Sequence, residues 1–121
     1  MKFTFDNERP IYIQLVEQLQ IQIISGKLAL GEKLLSVREL ASQLQINPNT
    51  VQRALSELED QKLINTQRTN GKFVTTDKKL VANILEKYAK EKAEIFFKNM
   101  DELGFSKKEA INYLVKIGGI K

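Results

Sequence analysis

The chain has no cysteine, no histidine and no tryptophan, and only two prolines in 121 residues. Without cysteine there is neither a disulfide frame nor a thiolate metal site, which fits a cytoplasmic location. Without histidine the commonest general base and the commonest metal ligand are both missing. Zinc sites and Ser-His or Cys-His nucleophilic pairs are thereby excluded. Carboxylates remain, but most sit at helical spacing beside lysines, as in Glu86-Lys87-Lys90, the pattern of a solvated face. No apolar run approaches the roughly 18 residues that a membrane-crossing helix needs. The first residues include Asp6 and Glu8 with no hydrophobic segment, unlike a secretory leader. These absences point away from an enzyme, a cofactor, a metal and a membrane.

What is present suits one domain, or a small domain with an appendage. The apolar fraction of 42% is ordinary for a folded protein, and the net charge of +4 favours nucleic acid as a partner. Residues 77–121 hold more of that excess than the rest of the chain. Arginine is more informative, because three of the four arginines (Arg38, Arg53 and Arg68) fall at two helix starts and in a hairpin. Arginine is the preferred reader of bases and phosphates.

The two helix starts lie within Leu34 to Arg53. Ser36 and Glu39 have the spacing of a capping box, and Asn47-Pro48 places a capping side chain before a proline at the first helical position. Val37, Leu40, Ala41 and Leu44 share one face of the first helix. Val51, Ala54, Leu55 and Leu58 share one face of the second, which is expected to run to about Lys62. Two short amphipathic helices around a tight turn make a helix-turn-helix, whose second helix usually enters a DNA groove.

Before this motif, residues 1–9 alternate Phe3 and Phe5 with polar residues, predicting a short extended arm. Pro10 then opens a helix with Tyr12, Leu15, Val16, Leu19 and Ile23 on one stripe, stopped at Gly26. Residues 27–33 are expected as a loop. After the motif come two β-prone runs, 63–67 and 72–76, flanking Arg68-Thr69-Asn70-Gly71. Asn-Gly there predicts a hairpin closed by a type I′ turn, with positive φ at both central residues. A hairpin after a recognition helix is the wing of a winged helix. Arg68 and Lys72 beside its tip favour DNA contact over a purely stabilising role.

From Asp77 the pattern is helical. Val81, Leu85, Tyr88, Ala89, Ala93, Phe96, Met100 and Leu103 form a long stripe ended by Gly104, with Phe105 placed to pack back on the last turn. Ser106 and Glu109 form a second capping box, and Ala110, Ile111, Leu114 and Val115 form the next apolar face. Two helices of this size cannot bury enough surface alone. The stripe is therefore expected to meet a second copy, with Val81, Leu85, Tyr88, Phe96, Met100, Leu103 and Leu114 in the interface. The alternative is a tail folded back on its own winged helix. The expected architecture is mainly α with a small β-hairpin wing. Residues 1–76 would form the winged helix-turn-helix and 77–121 a two-helix dimerisation tail.

Several runs resemble the winged-helix domain of the GntR family of bacterial transcription regulators. They are Pro10-Ile-Tyr12-Ile-Gln14, Ile24-Ser25-Gly26-Lys27-Leu28, Gly31-Glu32-Lys33-Leu34, Ser36-Val-Arg38-Glu39-Leu40-Ala41, Asn49-Thr50-Val51-Gln-Arg53-Ala54-Leu55, Leu58-Glu59 and Gly71-Lys-Phe73-Val74. The tail resembles the short one of the YtrA-like branch. The resemblance implies a dimeric regulator, usually a repressor, on an inverted-repeat operator, often of transporter genes. It implies that Arg38 contacts a base or phosphate, and that Asn49, Thr50 and Gln52 lie where the recognition helix meets DNA. Gly71 would let the wing approach the minor groove. With Ser36, Arg53, Arg68, Asn70 and Lys72 these complete the expected DNA-binding set. Three positions depart from the family pattern. Leu35 replaces a proline, Gln52 stands where several branches have arginine, and Thr69 replaces a wing glycine. Gln suits adenine and Arg guanine, so Gln52 beside Arg53 bears on sequence preference. Two other readings stay open, a protein-docking winged helix and a regulator sensing a small molecule at its dimer interface.

Overall fold

The computed structural model describes residues 2–119. Met1, expected in the arm, and Ile120 and Lys121, expected in the tail, lie outside the described residues. Helix α1 (Ile11–Ile24) is followed by α2 (Val37–Leu44) and α3 (Pro48–Asp60), the antiparallel pair β1 (Ile64–Gln67) and β2 (Gly71–Val74), then α4 (Lys78–Glu102) and α5 (Lys107–Gly118). The chain forms two compact units, one up to Ile84 and one from Leu85, so the boundary falls inside α4.

The helix starts are made as their sequences dictate. The Ser36 hydroxyl accepts from the Glu39 N–H at 3.1 Å while the Glu39 carboxylate accepts from the Ser36 N–H at 2.9 Å. Ser106 and Glu109 repeat this at α5, at 3.1 and 3.0 Å. Asn47 caps α3 through the Asn49 N–H at 2.7 Å, with Pro48 at the first helical position. The turn from α2 to α3 passes through Gln45 in the left-handed region (φ 54), a conformation that favours glycine.

The core of the first unit gathers α1 through Leu15, Leu19 and Ile23, α2 through Leu40, α3 through Val51, Leu55 and Leu58, and the hairpin base through Leu63 and Val74, all fully buried. Residues 27–33 are not a plain loop. Lys33 bridges Phe73 in antiparallel fashion, the Leu34 N–H donates to the Lys72 carbonyl at 2.8 Å, and the Val74 N–H donates to the Glu32 carbonyl at 2.8 Å. This short third edge carries too few residues to show alternation in the sequence.

The arm is held by two amides on α1. Gln18 both donates to and accepts from the backbone of Thr4, at 2.7 and 3.1 Å. Gln14, buried, does the same for Asp6 at 3.0 and 3.0 Å and also donates to the Arg9 carbonyl at 2.7 Å. Each glutamine imitates a neighbouring strand, which lets Phe3 and Phe5 pack on the core without a sheet.

The start of α4 also belongs to this core. Asp77 caps it by accepting from the Leu80 N–H at 3.0 Å, and Leu80, Val81 and Ile84 pack on the winged-helix cluster. Val81 was expected to face a second copy. It is half-buried and packs on the first unit, so part of its surface is already covered there. In the second unit, Gly104 (φ 92) and Phe105 end α4 by returning their N–H groups to Asp101 and Met100, at 2.9 and 3.0 Å. Phe105 then meets Tyr113 edge-on at 5.7 Å, and Ala110 is fully buried.

The Glu39 and Glu109 carboxyls lie below the ordinary carboxylate range because each accepts from the backbone and hydroxyl of its capping serine. A depressed folded pKa contributes stability that is fully present above the unfolded value, about 4.3, and is lost as pH falls through the folded value. Helix content followed by circular dichroism should therefore fall as pH drops below about 4. The double variant Glu39→Gln, Glu109→Gln keeps both boxes and should flatten that part of the acid limb.

Candidate nucleic-acid interface

Burial of one face of α3 decides what its other face can do. Val51, Ala54, Leu55 and Leu58 are buried, so Asn49, Gln52, Arg53 and Ser56 are exposed, with Thr50 half-buried between. Up to Ser56 the exposed set is polar and carries one positive charge, and the acidic Glu57 and Asp60 are exposed only farther along the helix. Gln52 donates to the Ser56 hydroxyl one turn on, at 3.2 Å, which orients its amide along the helix.

Arg53 is also oriented, by a residue the sequence reading gave to the apolar stripe of α1. The guanidinium lies 3.7 Å from the Tyr12 ring centroid, and Nη2 donates to the Tyr12 hydroxyl at 3.1 Å. Ile11 and Tyr12 from α1, Pro10 just before it, and Asn49, Thr50 and Arg53 from α3 line a shallow hollow where the two helix starts meet. The available signal was a tyrosine at the polar end of an apolar stripe, since a half-buried phenol needs a partner. No local pattern links positions 41 residues apart.

At the start of α2, Ser36 is committed to its cap, and Arg38, two residues on, is exposed. In the wing, Gln67 pairs with Gly71, leaving Arg68, Thr69 and Asn70 as an exposed loop. The Asn70 N–H donates to the Gln67 carbonyl at 2.6 Å, and positive φ occurs at Gly71 (φ 102) but not at Asn70. The expected two-residue type I′ turn is thus replaced by a longer loop built on an ordinary turn. Gly71 is favoured by its φ, and an added Cβ would also stand 3.3 Å from the end of the Lys33 side chain, which would have to shift slightly.

Lys72 departs from expectation more sharply. Its ammonium pairs with the Glu59 carboxylate at the end of α3 and donates to the Thr66 hydroxyl at 2.9 Å, and its side chain is 18% exposed. The Thr66 hydroxyl donates to the same carboxylate, and these two bonds hold Glu59 below the usual carboxylate range, Lys72 being the larger cause. The ammonium is turned inward, whereas Arg68 at the tip is exposed.

The bacterial regulatory proteins of the gntR family match this chain over residues 11–74, the whole stretch from α1 to the end of the wing. The chain belongs to the GntR family. It is a DNA-binding transcriptional regulator, and its relatives are regulators rather than enzymes. It is 38% identical to the uncharacterised HTH-type transcriptional regulator YhcF of Bacillus subtilis, over 88% of each chain. It is 41% identical to the transcriptional repressor YtrA of the same organism, over 58% of this chain and 54% of YtrA. A GntR family transcriptional regulator from Listeria monocytogenes superposes with a TM-score of 0.85 at 42% identity, covering 93% of this chain and 98% of that one. Of the GntR-pattern departures, Leu35 is half-buried and packs on the core, while Thr69 is exposed in the wing loop.

The second unit offers a groove lined by Glu94, Phe97, Lys98, Asp101, Phe105 and Lys107. Its four charged residues are exposed and no buried polar group lines it, which is poor anatomy for a small-molecule site.

Tyr12 and Arg53 form a pair whose coupling can be measured. Tyr12→Leu, Arg53→Ala and the double variant, compared by chemical denaturation, should give an interaction energy of about 0.5–1.5 kcal/mol.

Proposed function

We propose that the protein is a homodimeric repressor that binds an inverted-repeat operator, laying the first turn of α3 in the major groove and the wing tip towards the minor groove. The carrying observation is the exposed face of α3, where Asn49, Gln52 and Arg53 project from a helix fully buried on its other side. A docking module would instead present an apolar or acidic face there. Thr50 and the backbone N–H groups at the helix start would take phosphate, as would Arg38. Gln52 would read a base edge, while Arg53, held on Tyr12, would lie beside the backbone of the duplex. Ser36 would act through its cap, by fixing the start of α2. Asn70 and Gly71 would shape the wing tip that carries Arg68.

Pairing of two copies is supported by the second unit. Among its described residues only Ala110 is fully buried. Leu85, Leu103 and Leu114 from the expected interface are exposed, Leu103 to 73%, while Tyr88, Phe96 and Met100 are half-buried. Ile95, Ile111, Tyr113, Val115 and Ile117 add exposed apolar surface, of which Ile95, Tyr113 and Ile117 lie outside the expected stripes. Such surface marks an interaction site. Two joined protomers would read half-sites about one helical turn apart, or a multiple of that. Repression is supported by the likeness to YtrA. A cytoplasmic place of work follows from the DNA partner, and no described helix is long and apolar enough to cross a membrane. Transporter genes remain the proposed targets on the YtrA-like resemblance.

Footprinting and anisotropy on DNA upstream of the protein's own gene test the reading. Protection of two symmetric half-sites against scrambled competitor is expected, and its absence at moderate salt would overturn it. Arg38→Ala should weaken binding to all sequences and lower the salt slope by about one. Gln52→Ala should lose about 1–3 kcal/mol of discrimination at one base pair, and equal losses on operator and random DNA would sink that assignment. Leu114→Asp in the full chain should give a monomer by sedimentation; an unchanged dimer would place the interface elsewhere.

A further inference from the structure

We propose that Lys72 is a positioning residue, which with Glu59 and Thr66 locks the wing to the recognition helix so that Arg68 is presented to the DNA backbone. The inference rests on the wing contact proposed above. Thr66 and Lys72 are register partners on β1 and β2, so their side chains rise on the same face of the hairpin. Glu59 belongs to the last turn of α3 and accepts from both. One carboxylate therefore ties each strand of the wing to the helix that reads DNA.

The tie matters because of where burial stops. A two-stranded ribbon is marginal in water. This one is anchored at its base by Leu63, Ile64 and Val74, whereas β1 beyond Ile64 is exposed. The edge formed by Lys33 and Leu34 holds β2 at Phe73 and at the Lys72 carbonyl, but from the side away from β1. Beyond the base, the Glu59–Lys72–Thr66 triangle is the remaining described side-chain link from the hairpin to α3. A direct phosphate role for Lys72 competes poorly, since reaching outward would leave Glu59, 34% exposed, without its cation. A carboxylate left beside DNA would also repel it.

The two roles predict opposite signs for one substitution. In the full-length protein, Glu59→Gln and Lys72→Met should each weaken operator binding roughly three- to ten-fold, and the double variant no more than either alone. Lys72→Arg should restore binding. Both single variants should lower the salt slope by about one, as Arg68→Ala does, and Arg68→Ala should add nothing to Glu59→Gln. Thermal midpoints measured in parallel separate positioning from unfolding, because a merely structural pair would lower the midpoint and leave the salt slope alone. If Glu59→Gln fails to fold, Lys72→Met carries the test, and Thr66→Val, which removes one strand's tie and leaves the ion pair, should give a smaller loss in the same direction. Tighter binding by Glu59→Gln with weaker binding by Lys72→Met would overturn the proposal and make Lys72 a phosphate contact. So would a full Arg68→Ala loss in the Glu59→Gln background. If Arg68→Ala is silent in the wild type while Arg38→Ala is not, the wing contact itself fails, and the lock has nothing to present.

Discussion

Helix α3 has to be buried and exposed at the same time, and the first unit is arranged around that demand. Val51, Ala54, Leu55 and Leu58 are each at 0% exposure. A helix seated so completely on one side cannot roll without opening a cavity, at a cost of several kcal/mol for a leucine-sized void. The opposite face therefore keeps one orientation. Asn49, Gln52 and Arg53 gain their aim from leucines they never touch.

The neighbouring elements each fix one further freedom of that helix. Asn47 and Pro48 set its start, and α1 crosses it with Leu15, Leu19 and Ile23. Tyr12 then takes the one arginine on the reading face, converting a flexible cation into an oriented one. At the far end, Glu59 receives the wing. The arm contributes indirectly, through glutamines that pair with its backbone and so cover α1 with Phe3 and Phe5.

What could be read in advance follows from the range of the forces. Capping boxes, the Asn-Pro helix start, the apolar stripes and the glycine end of α4 depend on residues within one turn of each other, and each was legible. The buried face of α3 was legible because periodicity reports burial directly. Illegible were the contacts that join distant positions without a pattern. Tyr12 with Arg53, Glu59 with Lys72, Gln14 with Asp6 and Lys33 with Phe73 are of this kind. The wing turn was misread for a related reason. Asn-Gly selects a two-residue turn only if the strands pair right up to it, and here the pairing stops at Gln67 and Gly71.

The stripe of α4 carries the last step. A continuous three- and four-residue repeat looks like one surface, and it was read as one interface. Along a helix of 25 residues it is two. Val81 of that repeat, with Leu80 and Ile84 beside it, packs half-buried on the winged helix, and from Leu85 onward the repeat belongs to the second unit. What remains is a unit with Ala110 fully buried and a series of isoleucines, leucines and aromatics at least partly in water. Two helices cannot supply each other with more core than this. The second copy proposed above would offer this unit a self-complementary surface at no cost in new sequence.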